Sequence, residues 1–258
     1  MSIRHLAAPW CSIDIALHDL AGKRLGLPIR DLVGVDGPIP PTDFTLGIDE
    51  PAVVAERARR AGDFPALKLK VGGPSDLETV RAVRAVFGGP LRVDANTGWT
   101  PYGAVDLLPE LERLGVELIE QPFPARNHAD LRELQARSPL PLVADESAVT
   151  IDDLEPLVGV VDGVNVKLAK CGGVGPARRM LVRARQLGFR TFLGCMEETS
   201  IGIAASAAVA PLADWVDLDG CLLLLEDPVI GLELGADKRW NLADAPGLGL
   251  RWRMPATR

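Results

Sequence analysis

The sequence has little of what an oxidising compartment, a membrane or a nucleic acid would require. Its four cysteines, Cys11, Cys171, Cys195 and Cys221, are scattered without CxxC spacing. They suggest neither a zinc site nor a disulfide framework, and a reducing cytoplasm is the simplest setting. Basic residues are in deficit, 28 Lys and Arg against 35 Asp and Glu, so the net charge of -7 gives no electrostatic footprint for nucleic acid or an anionic membrane surface. The longest apolar stretch, Ile201 to Ala213, contains Pro211 and falls short of the roughly 20 residues a spanning helix needs. Asp14 interrupts the N-terminal apolar run too early for a signal peptide. The histidines His5, His18 and His128 have no ligand spacing and are assigned no chemistry.

What the chain does have is a hydrophobic fraction of 47% in 258 residues, enough for the core of one large α/β domain. Three short apolar runs each end in a carboxylate: Leu91 to Asp94 followed by Asn96, Leu118 to Glu120 followed by Gln121, and Leu142 to Asp145 followed by Glu146 and Ser147. Helical segments lie between them, so the repeating unit is strand, carboxylate, loop, helix, as in successive βα units of a parallel sheet. Eight strands are expected, ending near Gly47, Val71, Asp94, Glu120, Asp145, Lys167, Gly194 and Asp219. Helices are expected over 9–25, 51–61, 76–87, 102–114, 128–137, 152–158, 177–187 and 200–210. Cys171 to Gly175 reads as a Gly-rich turn, with Lys170 a loop cation beyond the strand. The tail from Cys221 suggests loops and a short strand.

If the sheet closes into a TIM-type barrel, Asp94, Glu120 and Asp145 share the rim where barrel enzymes keep their chemistry. Three acids at adjacent strand ends repel one another unless something cationic binds, and a hard divalent cation fits best. Lys68 and Lys70 alternate with leucines, which in isolation reads as an amphipathic strand with its lysines in water. Inside a barrel whose outer face is covered by helices they point inward, where charge needs a partner. Asn165 and Lys167 repeat the pattern on strand six. Lys70 and Lys167 would face each other across the mouth, placing one amine on each side of a carbon next to a metal-bound carboxylate, the layout for moving a proton on and off from opposite faces. Such a proton is too weakly acidic for free lysine. A metal ion stabilises the ene-diolate, and the cation together with Lys68 lowers the proton affinity of Lys70. Asp217 and Asp219 form a D-x-D that is equally readable as a turn or cap and as a site for an ammonium group.

Taken together, Lys68-Leu-Lys70, Asp94-Ala-Asn96, Glu120-Gln121-Pro122, Asp145-Glu146-Ser147, Asn165-Val-Lys167 and Gly194-Cys-Met196-Glu-Glu198 resemble the enolase superfamily in its muconate-cycloisomerase-like branch. Asp217-Leu-Asp219-Gly220 looks like the motif by which dipeptide epimerases hold an α-ammonium. The resemblance implies a modified (β/α)7β barrel and Mg²⁺ on Asp94, Glu120 and Asp145. It also implies Lys70 and Lys167 as the acid/base pair with Lys68 beside them, substrate contacts at Asp217, Asp219, Lys68, Asn96 and Met196, and Glu146, Asn165 and Glu198 behind them. It further implies a domain plan of a capping-domain remnant at 1–35, a barrel at 36–225 and a tail at 226–258 packing on barrel or cap, most of the N-terminal cap being missing.

The leading expectation is therefore a Mg²⁺-dependent epimerase of L-Ala-D/L-Glu-type dipeptides acting by 1,1-proton transfer, with a small-molecule substrate and no nucleic-acid or membrane partner. A muconate cycloisomerase or an o-succinylbenzoate synthase-like lyase is the second reading, against which Asp217 and Asp219 argue because those substrates carry no ammonium. The third is an inactive barrel remnant with a binding or homo-oligomeric role, favoured by exposed apolar surface at Ile13, Leu17 and the tail.

Overall fold

The computed structural model describes residues 6–253; His5 and the outer ends of the two terminal segments lie outside them. Eight strands form one sheet in sequence order: β1 (Phe44–Leu46), β2 (Leu67–Lys70), β3 (Leu91–Asp94), β4 (Val116–Glu120), β5 (Leu142–Ala144), β6 (Gly163–Lys167), β7 (Arg190–Gly194) and β8 (Trp215–Asp217). Consecutive parallel order with helical crossovers is the order of the α/β barrel class expected from the repeat. The register matters most. Lys70 pairs with Asp94, Asp94 with Glu120 and Glu120 with Val143, so that Asp145, two residues on, continues the same face.

The chain divides into two compact units. One comprises residues 43–165 with 184–192. Its helices are α3 (Pro51–Arg60), α4 (Asp76–Arg84), α5 (Pro101–Arg113) and α6 (His128–Gln135). Each starts where local chemistry allows. Thr100 accepts the Gly103 N–H at 3.2 Å, and Pro101 occupies the first turn, where its missing N–H costs nothing. Val54, Val80, Val83, Leu108 and Leu111 bury the apolar stripes, while Leu67, Leu69, Leu91, Val93, Leu118 and Ile119 supply fully buried strand positions. The segment expected as one helix near 152–158 forms two 3₁₀ turns, Ile151–Asp153 and Glu155–Leu157. Pro156 has no N–H to continue an α-helix.

The second unit comprises the chain up to residue 42, residues 166–183, and the chain from 193 onward. It holds α1 (Ala7–Leu25), α2 (Ile29–Val33), α7 (Leu168–Cys171) and α9 (Ser200–Ala207), with α8 (Val174–Gln186) beginning in it. Lys170 sits in the one-turn α7, not in a loop. Helix α8 starts three residues earlier than its sequence suggests, because its cap comes from far away. Asp14 Oδ2 of α1 accepts the Val174 N–H at 2.7 Å, and Gly173, at φ +126°, has no Cβ to obstruct that carboxylate. Asp19 likewise accepts the Leu248 N–H at 2.9 Å, and Gly22 lets the backbone of Gly247 approach α1. The tail forms two short antiparallel pairs, β9 (Val229–Ile230) with β12 (Arg251–Trp252) and β10 (Glu233–Leu234) with β11 (Trp240–Asn241). Strand β8 stops at Asp217, so Asp219 lies just beyond it, ahead of a 3₁₀ turn at Gly220–Leu223. Among the described residues no helix is long and apolar enough to cross a membrane.

Candidate metal and acid/base centre

The first unit gathers the three strand-end acids. One oxygen each from Asp94, Glu120 and Asp145 lie within 4.8 Å of one another, and all three residues are buried. The acids are not alone. Lys68 Nζ lies 2.8 Å from Glu120 Oε2 and 3.1 Å from Asp94 Oδ2, while Lys70 Nζ lies 2.7 Å from Asp94 Oδ2. Both lysines therefore point to the acids; the Lys70 side chain is partly exposed, while Lys68 is sealed from water at 1% exposed. Its ammonium also lies 5.4 Å from the centroid of Phe192, against the ring face. Burial pushes the Asp94 carboxyl up, but Lys68 and then Lys70 outweigh it, and the net direction is below the ordinary aspartate range.

A ring of amides holds these carboxylates in place. Asn165 donates from Nδ2 to Glu120 Oε1 at 2.7 Å, and the Asn96 N–H donates to Asp94 Oδ1 at 3.0 Å. Asn96 reaches that position at φ 41°, and its own amide touches Glu146 Oε1 at 3.4 Å. Burial first, then Asp145, holds the Glu146 carboxyl above its usual value. The sequence reading gave no role to Gln121. It is fully buried, accepts the N–H groups of Asp145 at 2.8 Å and Ser147 at 3.1 Å through Oε1, and donates to Phe123 O and Ser147 Oγ through Nε2. Beneath the acids, Arg92 bonds Asp43 at 2.8 Å and Glu117 at 2.8 Å and faces the same Phe192 ring. A buried arginine whose acids come from β4 and from the residue just before β1 has no local sequence signature.

Three carboxylate oxygens, hard donors at this spacing and preset by amide hydrogen bonds, fit a small divalent cation and no soft metal.

The second unit carries the remaining candidates. Lys167, Asp217 and Asp219 are all buried. Leu218 fixes the two aspartates by its backbone, its N–H donating to Thr42 Oγ1 at 2.8 Å and its carbonyl accepting the Trp240 indole N–H at 2.9 Å. Gly220 is required because a Cβ there would collide with the Met196 carbonyl. Cys195 directs its S–H toward Asp219 Oδ1 at 4.0 Å, and burial, followed by Asp217, Asp219 and Glu198, pushes its thiol well up. Met196 is exposed, whereas Glu198 is half-buried and accepts the Met196 N–H at 3.2 Å.

A family model described as enolase C-terminal domain-like matches residues 51–256. The chain belongs to that family. The L-Ala-D/L-Glu epimerase of Bacteroides thetaiotaomicron is 41% identical over 242 residues, an alignment covering 93% of this chain and 63% of that protein. The chain thus spans less than two thirds of that relative's length. A dipeptide epimerase from Enterococcus faecalis, solved with Mg and the dipeptide L-Leu-L-Tyr, superposes with a TM-score of 0.87 at 37% identity, covering 95% of this chain and 73% of that one. A muconate cycloisomerase from Pseudomonas fluorescens gives 0.86 at 34% identity, covering 94% and 72%. Proteins of the enolase superfamily use a divalent metal, and the Asp94–Glu120–Asp145 cluster offers this member the donor set for one.

Proposed function

We propose that the chain is a Mg²⁺-dependent epimerase of dipeptides, acting by 1,1-proton transfer at the residue that bears the free carboxylate. The observation that carries this reading is the buried Asp94–Glu120–Asp145 cluster with Lys68 and Lys70 directly upon it. Asp94, Glu120 and Asp145 would hold the ion. When bound, Mg²⁺ supplies positive charge against the substrate carboxylate, lowering the cost of the negative charge that develops as the α-proton leaves. Lys70 takes or returns that proton on one face and Lys167 on the other. Lys68 holds Asp94 and Glu120 in position. Asp217 and Asp219, fixed through Leu218, receive the substrate ammonium, while Asn96 and Met196 border the dipeptide. Asn165, Glu146 and Glu198 support the groups in front of them.

The relatives named as epimerases of dipeptides support this choice over a cycloisomerase or a lyase. The Asp217-Leu-Asp219-Gly220 motif, which resembles that of dipeptide epimerases, favours a substrate with an ammonium group, which a muconate lacks. Four free cysteines support a cytoplasmic setting. The exposed Ile13 and Leu17 of α1 are the observation on the side of an oligomeric or binding role; light scattering in solution reads that role directly.

The test is incubation with Mg²⁺ and L-Ala-L-Glu, and in parallel L-Leu-L-Tyr, in D₂O, following the C-terminal residue's α-proton by NMR. Exchange with appearance of the L,D product is the expected result. Absence of exchange with either dipeptide overturns the reading.

A further inference from the structure

Just past the ends of β2 and β3, the Val71 N–H donates to the Asp94 carbonyl at 2.9 Å. The loops that follow, one behind Lys70 and one behind Asp94, are joined further out by a pair of side chains. The Asp76 carboxylate, in the first turn of α4, accepts the N–H groups of Gly72 at 3.0 Å and Gly73 at 2.9 Å, together with the indole N–H of Trp99 at 2.7 Å. Trp99 is buried. Beside this junction the two backbones meet. A Cβ on Gly72 would stand 3.0 Å from the Ala95 carbonyl oxygen, and one on Gly98 would stand 3.0 Å from the Gly72 Cα, so glycine is what lets the loops come together.

The loop behind Asp94 contains a turn in a conformation that its residues do not favour. Asn96 and Thr97 lie at φ 41° and 68°, left-handed backbone that asparagine tolerates and a β-branched threonine rarely adopts. Strained backbone of this kind persists where its surroundings over-determine it. On one side the Thr97 and Trp99 N–H groups donate to the carbonyls of Gln121 at 2.8 Å and Pro122 at 3.0 Å. On the other stands Asp76, through the Trp99 indole. In this conformation the Asn96 N–H reaches Asp94 Oδ1 at 3.0 Å.

We propose that Asp76 and Trp99 are a positioning pair for the metal site, holding the turn after β3 so that the Asn96 N–H keeps the Asp94 carboxylate aimed. The role rests on the reading of Asp94 as a metal ligand. The working part of Trp99 is its indole donor, because that hydrogen bond spans from the loop behind Asp94 to the loop behind Lys70. Without the donor the turn relaxes, and Asp94 meets an ion with an oxygen whose direction is no longer set. A tryptophan that served by bulk alone would be replaceable by another large ring.

The test uses Trp99→Phe, which keeps most of the apolar ring and deletes the donor, with Asp76→Ala as the second variant should the first not fold. In the metal-free protein, amide hydrogen exchange followed by NMR should quicken at Asn96 by roughly tenfold relative to Ile119, whose N–H bonds the Pro141 carbonyl just before β5. Calorimetric titration should show Mg²⁺ binding weakened roughly tenfold in either variant. Leu134→Ala, which opens a cavity under α6 and lowers stability without touching these loops, should bind Mg²⁺ as wild type does. Equal quickening of the two amides, an unmoved Asn96 amide, or wild-type Mg²⁺ affinity in Trp99→Phe overturns the proposal. If wild type itself binds no Mg²⁺, the metal reading fails, and the Asn96 exchange rate still decides whether the pair holds the turn.

Discussion

The Lys68 ammonium lies 2.8 Å from Glu120 Oε2 with neither group open to water, so one sealed cation compensates the acid at the end of β4 and, at 3.1 Å, Asp94 at the end of β3 as well. Removing one member of such a pair strands the other charge in a low-dielectric interior. Lys68→Met should cost about 3–5 kcal/mol in the metal-free protein. Added Mg²⁺ should return part of the loss by restoring a cation beside the acids. Urea unfolding of wild type and variant, with and without Mg²⁺, checks both halves: the Mg²⁺-dependent gain should be larger in the variant.

Gln121 makes four hydrogen bonds, three of which tie the end of β4 to the turn after β5 and one of which holds the Phe123 carbonyl. Gln121→Leu keeps the bulk and removes all four. It should cost about 2–3 kcal/mol from stranded backbone groups and weaken Mg²⁺ binding by roughly 10- to 100-fold as Asp145 loses its fixed position. Calorimetric titration with Mg²⁺ measures the second effect independently of turnover.

The Asp94 carboxyl is held below the ordinary aspartate value of 3.8 despite burial, because Lys68 and Lys70 stabilise its charge. A folded-state pKa below the unfolded one means stability that is complete above the unfolded value and lost as pH falls through the folded one. The metal-free protein should therefore lose stability below about pH 4, and Asp94→Asn should flatten that part of the profile. Denaturant midpoints across pH 2–5 (about the carboxylate range) provide the check.

The parts of this architecture that could be read from the chain are those in which one residue type recurs at a fixed structural position. A carboxylate closing each apolar run marked Asp94, Glu120 and Asp145, and the alternation in Lys68-Leu69-Lys70 marked a strand face. What could not be read depends on partners distant in sequence. Val174 begins α8 because of Asp14, 160 residues earlier. Gln121 is a clamp because of Ser147, and Arg92 is buried because Asp43 and Glu117 meet it. Short elements such as α2 and α7 contain too few residues to show a period. Asp219 was assigned to a strand because alternation continues through it, but the ladder ends at Asp217.

Trp240 holds the Leu218 carbonyl between the two aspartates at 2.9 Å, from a side chain that is itself buried. Trp240→Phe keeps most of the apolar contact and deletes the donor. Stability should fall by about 1 kcal/mol. If Asp217 and Asp219 grip the substrate ammonium, KM should rise more than kcat falls, which steady-state kinetics with a dipeptide separates.

Burial also raises the thiols of Cys11 to about 12 and of Cys171 to about 11, and raises Cys195 well above its ordinary value. Almost no thiolate exists at these sites near neutral pH. Iodoacetamide at pH 8 (roughly the ordinary thiol pKa) should leave all three unlabelled in the folded protein and label them after denaturation, as read by peptide mass spectrometry.

The most direct test of the two-base account uses Lys70→Ala and Lys167→Ala separately, with Mg²⁺, in D₂O, on each of the two epimers of one dipeptide. Each variant should still exchange the α-proton of a single epimer, a different one in each case, and neither should interconvert the epimers. If either variant exchanges both epimers, or epimerises as wild type does, the two lysines do not divide the proton transfer between them and the account is wrong.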